Sequence, residues 1–260
     1  MNEVALAVYF SHPVPLQSVQ LGQLWERWRD RYPLAEDQPA LPPVIPEPSP
    51  FPGMGTQMVL TGPLPGVRVW YLSASGSKLV QVQADRLVLN WRKTPEEPTY
   101  PRYESLRPIF AREVEEYLTF LETIGISRPV ISQAEVTYVN PIPIDALGES
   151  GDLRGVLAPW SGENSDDFLP VPEDSRILLR YLIPNPATGD AVGRLYVEGA
   201  GATHQQLGRV YMLQLFARGK PLSEGVDGAL AFLDLGHDWV VRAFASLTTT
   251  SLHDNWIRQE

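Results

Sequence analysis

Leu79-Val80-Gln81-Val82-Gln83-Ala84-Asp85-Arg86-Leu87-Val88-Leu89-Asn90-Trp91-Arg92 decides the fold. Two runs rich in β-branched and apolar residues flank a pair, Ala84-Asp85, that suits a two-residue hairpin loop. With that loop Gln83 pairs with Arg86, and the pairs continue outward. Alternation then puts Val80, Val82, Leu87, Leu89 and Trp91 on one face. Gln81, Gln83, Arg86, Asn90 and Arg92 share the other, with Val88 as the exception. One face is core. The opposite face is rich in amides and guanidiniums.

Outward from the hairpin, Val67 to Ser73 reads as a preceding strand that enters it through a turn at Gly76. Tyr103 to Ile124 reads as a following helix, with Leu106, Phe110, Val114, Tyr117, Leu121 and Ile124 on its apolar side. Ser105 is the expected N-cap, and Pro108 then falls in the first turn. Upstream, Val4 to Phe10 is a buried strand, and Leu21, Leu24, Trp28 and Tyr32 mark a helix from about Pro15. Ala134 to Val139 is one more strand. Three further strands are expected at Ile177–Ile183, Leu195–Glu198 and Tyr211–Ala217. A helix runs from Ser223 to about Phe244 on a stripe of Leu230, Leu233, Val241 and Phe244. A short terminal helix follows Thr250-Ser251, with Leu252 and Trp256 turned inward.

The order βα-βββα-β-βββα predicts an α+β protein, with antiparallel sheets and helices packed on one side. It suggests two related βββα modules. The chain divides into an N-terminal module over 1–145, an acidic irregular connection over 146–175 and a C-terminal module over 176–260, expected to pack as one compact unit. Between Pro33 and Gly53 stand Pro33, Pro39, Pro42, Pro43, Pro46, Pro48, Pro50 and Pro52. Proline fixes φ and removes amide donors, so neither a helix nor a central strand is expected there. The segment reads as a stiff surface connection, with a polyproline ligand for a partner domain as the alternative.

Composition narrows the function classes. The 260 residues carry 21 Lys and Arg against 31 Asp and Glu, a net charge of −10 that disfavours nucleic-acid and anionic-membrane binding. Cysteine is absent, which excludes disulfides, thiolate catalysis and cysteine zinc sites. The first residues lack the pattern of a signal peptide, and no apolar run approaches a membrane span, so a cytoplasmic setting is expected.

No catalytic motif emerges. His237-Asp238 and His253-Asp254 lack the further ligands of a metal phosphohydrolase, and His237 reads as a partly buried structural histidine. Gly199-Ala200-Gly201-Ala202-Thr203 and Ser75-Gly76-Ser77-Lys78 read as hairpin turns rather than nucleotide loops. Glu135 and Glu198, inside strands, are the carboxylates best suited to a polar cavity, with structural pairing to an arginine as the alternative. The best constellation is the polar hairpin face. Gln81, Gln83, Asn90 and Arg92 offer fixed donors and acceptors, and Arg102 and Tyr103 are expected to close over them. With Glu135 these are the candidate ligand-binding residues. The alternative is that the face is packed against another sheet or the acidic connection. No metal or cofactor is expected.

The same residues carry a resemblance. Ser77 to Arg86, Asn90-Trp91-Arg92-Lys93 and Tyr100-Pro101-Arg102-Tyr103-Glu104 resemble a bacterial protein family of about this length and sporadic distribution. Glu135 to Asn140 and the tail from His237 to Trp256 are similar as well. The resemblance implies no particular activity and carries no catalytic residue onto this chain. Sporadic occurrence is similar to that of mobile and defence genes. Taken together, the expectation is a non-enzymatic ligand- or protein-binding accessory factor. Two alternatives stand: a small-molecule enzyme using Glu135, Arg92, Tyr103 and His237, and a nucleic-acid binder using Arg86, Arg92, Arg102 and Arg107.

Overall fold

A computed structural model describes residues 1–48, 67–144, 153–160, 168–169, 175–250 and 252–253. Among them, nine strands form one antiparallel sheet: β1 (Glu3–Phe10), β2 (Leu34–Gln38), β3 (Arg68–Leu72), β4 (Lys78–Gln83), β5 (Arg86–Arg92), β6 (Ile131–Pro143), β7 (Arg176–Pro184), β8 (Ala191–His204) and β9 (Gly208–Gly219). Their order is β2-β3-β4-β5-β1-β6-β9-β8-β7. From the central β1–β6 pair outward, each flank is a meander of consecutive strands. The helices are α1 (Ser18–Trp28), α2 (Tyr103–Thr123), the single turn α3 (Leu153–Val156) and α4 (Gly225–Leu247). The α+β class with an antiparallel sheet and helices is the one read from the sequence.

The hairpin pairs as expected, Gln83 with Arg86 and outward to Lys78 with Trp91. Val80, Val82, Leu87, Leu89 and Trp91 are buried in the main core. There they meet Phe10, Trp28, Tyr71, Phe110 and Tyr117 beneath the helices. Trp28 packs edge-on to Tyr71 at 5.6 Å, and Phe10 stacks on Tyr117 at 5.8 Å. Each buried aromatic of this kind removes 150–250 Å² from water, roughly 4–6 kcal/mol of gross hydrophobic driving force at about 25 cal/mol per Å². The same helix face holds one fully buried carboxylate. Glu113 of α2 accepts from Arg31 at 2.9 Å, Arg112 at 2.7 Å and the Tyr32 hydroxyl at 3.1 Å. Three donors offset its desolvation.

α4 lies close on β8 and β9 because two glycines clear its path. A Cβ on Gly219 would meet the Phe232 ring at 2.4 Å, and one on Gly193 would meet it at 2.8 Å. Its buried stripe runs through Leu230, Leu233 and Val240, whereas Val241 is half exposed. The stripe thus passes through Val240 rather than Val241, and Phe244 still packs against the core.

Three more details depart from the sequence reading. The run Gly199–Thr203 belongs to the C-terminal end of β8, just before the β8–β9 turn, and is not itself a turn. Tyr211 opposite explains it, since a Cβ on Gly199 would meet the phenol oxygen at 2.5 Å. α2 starts three residues earlier than a Ser105 cap requires, with Arg102 as N-cap, so Pro108 lies inside the helix. Finally, Leu34–Gln38 within the proline-rich region pairs with β3 as an edge strand. Proline is tolerated at such an edge, and the strand ends at Pro39. Leu252 is buried as expected, while Trp256 and most of the acidic connection lie outside the described residues.

Candidate functional site

The two faces of the sheet carry the predicted site residues apart. Gln81, Gln83, Asn90, Arg92 and Glu135 lie on the face away from the helices. Arg102 and Tyr103 lie on the helix face, at the start of α2, so they do not close over the hairpin. The reason is parity. Tyr138 and Asn140, against which this part of α2 packs, alternate with Glu135, Thr137 and Val139 along β6 and point the other way.

The hairpin face is occupied by the chain itself. Residues 39–48 cross it as an extended strap, held by side chains that grip its backbone. Gln83 receives the Leu41 amide at 2.8 Å and donates to the Leu41 carbonyl at 3.0 Å. Gln133 repeats this double bond on Glu47, at 2.8 and 3.0 Å. Arg86 donates to the Pro42 carbonyl at 2.6 Å, and Arg68 to the Pro39 carbonyl at 3.0 Å. Between these grips Val44 rests on a small cluster of Ala5, Ala7, Tyr9 and Val88, which is why Val88 breaks the polar alternation. At the far end the Glu47 carboxylate pairs with Arg194 and accepts from the Tyr196 hydroxyl. Burial and that bond push the Tyr196 phenol up to about 12.

The remaining polar groups on this face also have partners. Asn90 donates to Glu3 at 2.6 Å and accepts from Gln81, which in turn accepts from Arg68 and the Trp70 indole. Arg92 lies over the Trp70 ring and donates to the Gly76 carbonyl. Glu135 pairs with Arg218, which lies over the rings of Tyr9 and Phe216. The arginines named for nucleic acid form no common patch. Arg86 and Arg92 are engaged here, whereas Arg107 on the helix face pairs with Asp234 at 2.6 and 2.8 Å.

The helix face holds a cleft of about 330 Å³ where α2 begins, bounded by β6 and α4. Tyr138 of β6 shares a hydrogen bond with His237 Nδ1 at 2.7 Å and with the Tyr100 hydroxyl at 3.2 Å. Tyr103 stacks flat on the His237 ring, with centroids 4.1 Å apart and planes 6° from parallel. Its hydroxyl donates to Asp234 at 2.8 Å. Val240, Val241 and Phe244 complete the apolar wall from α4, and Glu104 and Arg102 stand at the α2 end. Burial raises the Tyr138 phenol and lowers His237, the latter against the pull of Glu104, Asp238 and Asp234. Both groups are thus held neutral near pH 7. Which of the phenol and Nδ1 carries the shared proton follows from the imidazole tautomer.

Asn140 is one of several buried side chains with an unpartnered polar atom, Trp91 Nε1 and the Tyr117 hydroxyl being others. It lines the cavity at 4% exposure, and its Nδ2 has no hydrogen-bond partner. A buried donor without a partner costs about 1–3 kcal/mol, and native proteins retain few of them. Arg102 adds a second irregularity, with φ at 68°. That region is rare for residues other than glycine and clusters at functional positions. Sequence reasoning missed Tyr100, Tyr138 and Asn140, whereas Tyr103 and His237, named together for the enzyme alternative in a cavity between sheet and helices, do meet here, apart from Glu135 and Arg92. One signal was available: Asn140 has the same parity in β6 as the core residues Val136, Tyr138 and Ile142. Among the described residues, no three His, Asp or Glu side chains converge as metal ligands would. No helix there is long and apolar enough to cross a membrane.

Neither a family model, a curated protein nor a solved structure matches this chain. The resemblance of the hairpin and the α2 start therefore stands on the quoted residues alone.

Proposed function

We propose that this chain is a binding protein that takes a small molecule into the cleft between the start of α2, β6 and α4. The observation that carries the reading is the cleft itself, a cavity of about 330 Å³ walled by Tyr100, Val240, Val241 and Phe244, with His237 and the buried Asn140 in its lining. The cavity's size and mainly apolar, aromatic wall suit a small-molecule site. A wider role as an accessory factor of a mobile or defence system rests on the family resemblance alone.

The test is ligand-observed NMR with a general fragment set. Expected are binders that compete with one another, lose affinity in Asn140→Leu and are blocked by Val241→Trp, which fills the mouth from a half-exposed position. A set that yields no such competing binder overturns the reading.

A second reading is favoured by the hydrogen bond between Tyr138 and His237. A neutral imidazole backed by a phenol can exchange a proton with a bound molecule, which keeps an acid–base enzyme in view. Mass spectrometry of the bound species separates the two. Recovery of the same mass supports binding alone, and a changed mass supports turnover.

A further inference from the structure

We propose that the outer edge of β7 is a docking strand for another protein: an extended acidic segment adds there as a tenth strand, antiparallel, with carboxylates opposite Arg180 and Arg176. The two ends of the sheet are closed differently. β2 spans five residues, exposes Glu36 and Asp37 and stops at Pro39, features by which proteins blunt an edge. β7 spans nine, Arg176–Pro184, and holds no acid. It pairs with β8 alone, and no other backbone bond among the described residues reaches it. A strand paired on one side turns the amides and carbonyls of every second residue outward. β7 therefore offers a row of unpaired groups long enough for a further strand.

Its side chains are as open as its backbone. Ile177, Leu179 and Ile183 pack on the main core beneath the helices. Leu178, Arg180 and Leu182 alternate with them and face the strap side, opposite Glu198, Tyr196 and Arg194 of β8. Over residues 39–48 the strap reaches as far as β8, where Arg194 and Tyr196 hold Glu47. Beyond that point Leu178 and Leu182 stand 48% and 56% exposed. Arg180 lies over the Tyr196 ring at 5.5 Å and Arg176 is exposed, and neither has an ion-pair partner among the described residues. Glu198, opposite Leu178, lies diagonally between them and pairs with neither.

Charge decides what that strand can be. A second copy of β7, paired about a two-fold axis, is the simplest occupant. With full overlap of Arg176–Pro184, Arg180 of one copy would face Arg180 of the other. Slipping the register by two residues either way keeps each side chain on its face and still sets the two arginines diagonally. Like charges so placed are destabilising. The acidic β2 of a second copy would join copies head to tail without closure, and its five residues cover little more than half of β7. A foreign strand with carboxylates four residues apart pairs instead with Arg180 and Arg176, and an apolar side chain between them covers Leu178. Backbone bonds then supply affinity, and these three positions supply selectivity.

The test is fluorescence anisotropy on the full chain with a labelled peptide, Val-Thr-Glu-Thr-Val-Thr-Glu-Thr. Expected is saturable binding that falls about ten-fold or more when lysine replaces both glutamates. The double variant Arg176→Glu, Arg180→Glu should reverse that preference and favour the lysine peptide, which a misfolded chain would not do. Methylating one alternate set of peptide amides should abolish binding and methylating the other should spare it, because only one set faces β7. Equal binding of the two peptides, or no binding of the acidic one, overturns the proposal. So does a concentration-dependent dimer or polymer in sedimentation whose assembly hides β7 from the peptide, since a second copy then takes the edge.

Discussion

The two faces of the sheet are built from similar polar side chains and put to opposite uses. On the strap face Gln83, Gln133, Arg86, Asn90 and Glu135 each have a named partner, two of them double-bonded to one backbone amide unit. On the helix face Asn140 is as deeply buried and bonds to nothing. The richer array of amides and guanidiniums is the structural one, and the cleft lies on the face where polar atoms of Asn140, Trp91 and Tyr117 are buried without partners.

Four measurements can break or sharpen that contrast. The largest effect is expected at Glu47. Glu47→Ala strips Arg194 and Tyr196 of a buried carboxylate and is expected to cost about 3–5 kcal/mol of stability in urea unfolding. Gln83→Leu and Gln133→Leu each leave a strap amide unpaired and are expected to cost about 1–3 kcal/mol. In a Glu47→Ala background, Gln133→Leu should cost measurably less, because both act on the same strap end. If the two costs simply add, the strap does not seat as one unit.

Asn140→Leu is expected to lie within about 0.5 kcal/mol of wild type or to stabilise it, since it removes a buried donor that has no partner. A loss comparable to that of Gln133→Leu would erase the distinction between the faces. The smallest effect concerns pH. Burial lowers His237 in the folded chain despite the facing acids Glu104, Asp234 and Asp238. The unfolded chain therefore takes up the proton first as pH falls through about 6.5, and stability declines over the window below that value. Unfolding curves at stepped pH should show a shallower decline in His237→Gln than in wild type.

Much of this architecture was readable from local pattern. The period of two in Leu79–Arg92 assigned both faces of the hairpin and its register, because each strand is short and one face is apolar throughout. The helix stripes did the same for α1, α2 and α4. What failed depended on distant partners. Gly199–Thr203 looks like a turn until Tyr211 is placed opposite, and only then does the lack of a side chain have its reason. The strap is held by side chain to backbone bonds, which leave no trace in residue spacing. Arg102 and Tyr103 were assigned to the wrong face because nothing in the loop before α2 reveals on which side of the sheet it passes. Asn140 was readable as a polar residue of core parity, but its lack of a partner becomes visible only when α2 and α4 are both in place.

The strap has a further consequence, for the order in which the molecule is made. After Arg68 at Pro39, its grips run from Gln83, 42 residues downstream of Leu41, to Arg194 and Tyr196, 147 and 149 residues downstream of Glu47. From β4 to β8 it crosses five strand spacings, about 24 Å. A growing chain can pair β1 with β5 while the groups that clasp Glu47 are still unsynthesised. Its polar face then stays open to water until β8 is complete. Closing so long a loop is slow, so the strap is expected to seat last and to fasten the early half of the chain to the late one.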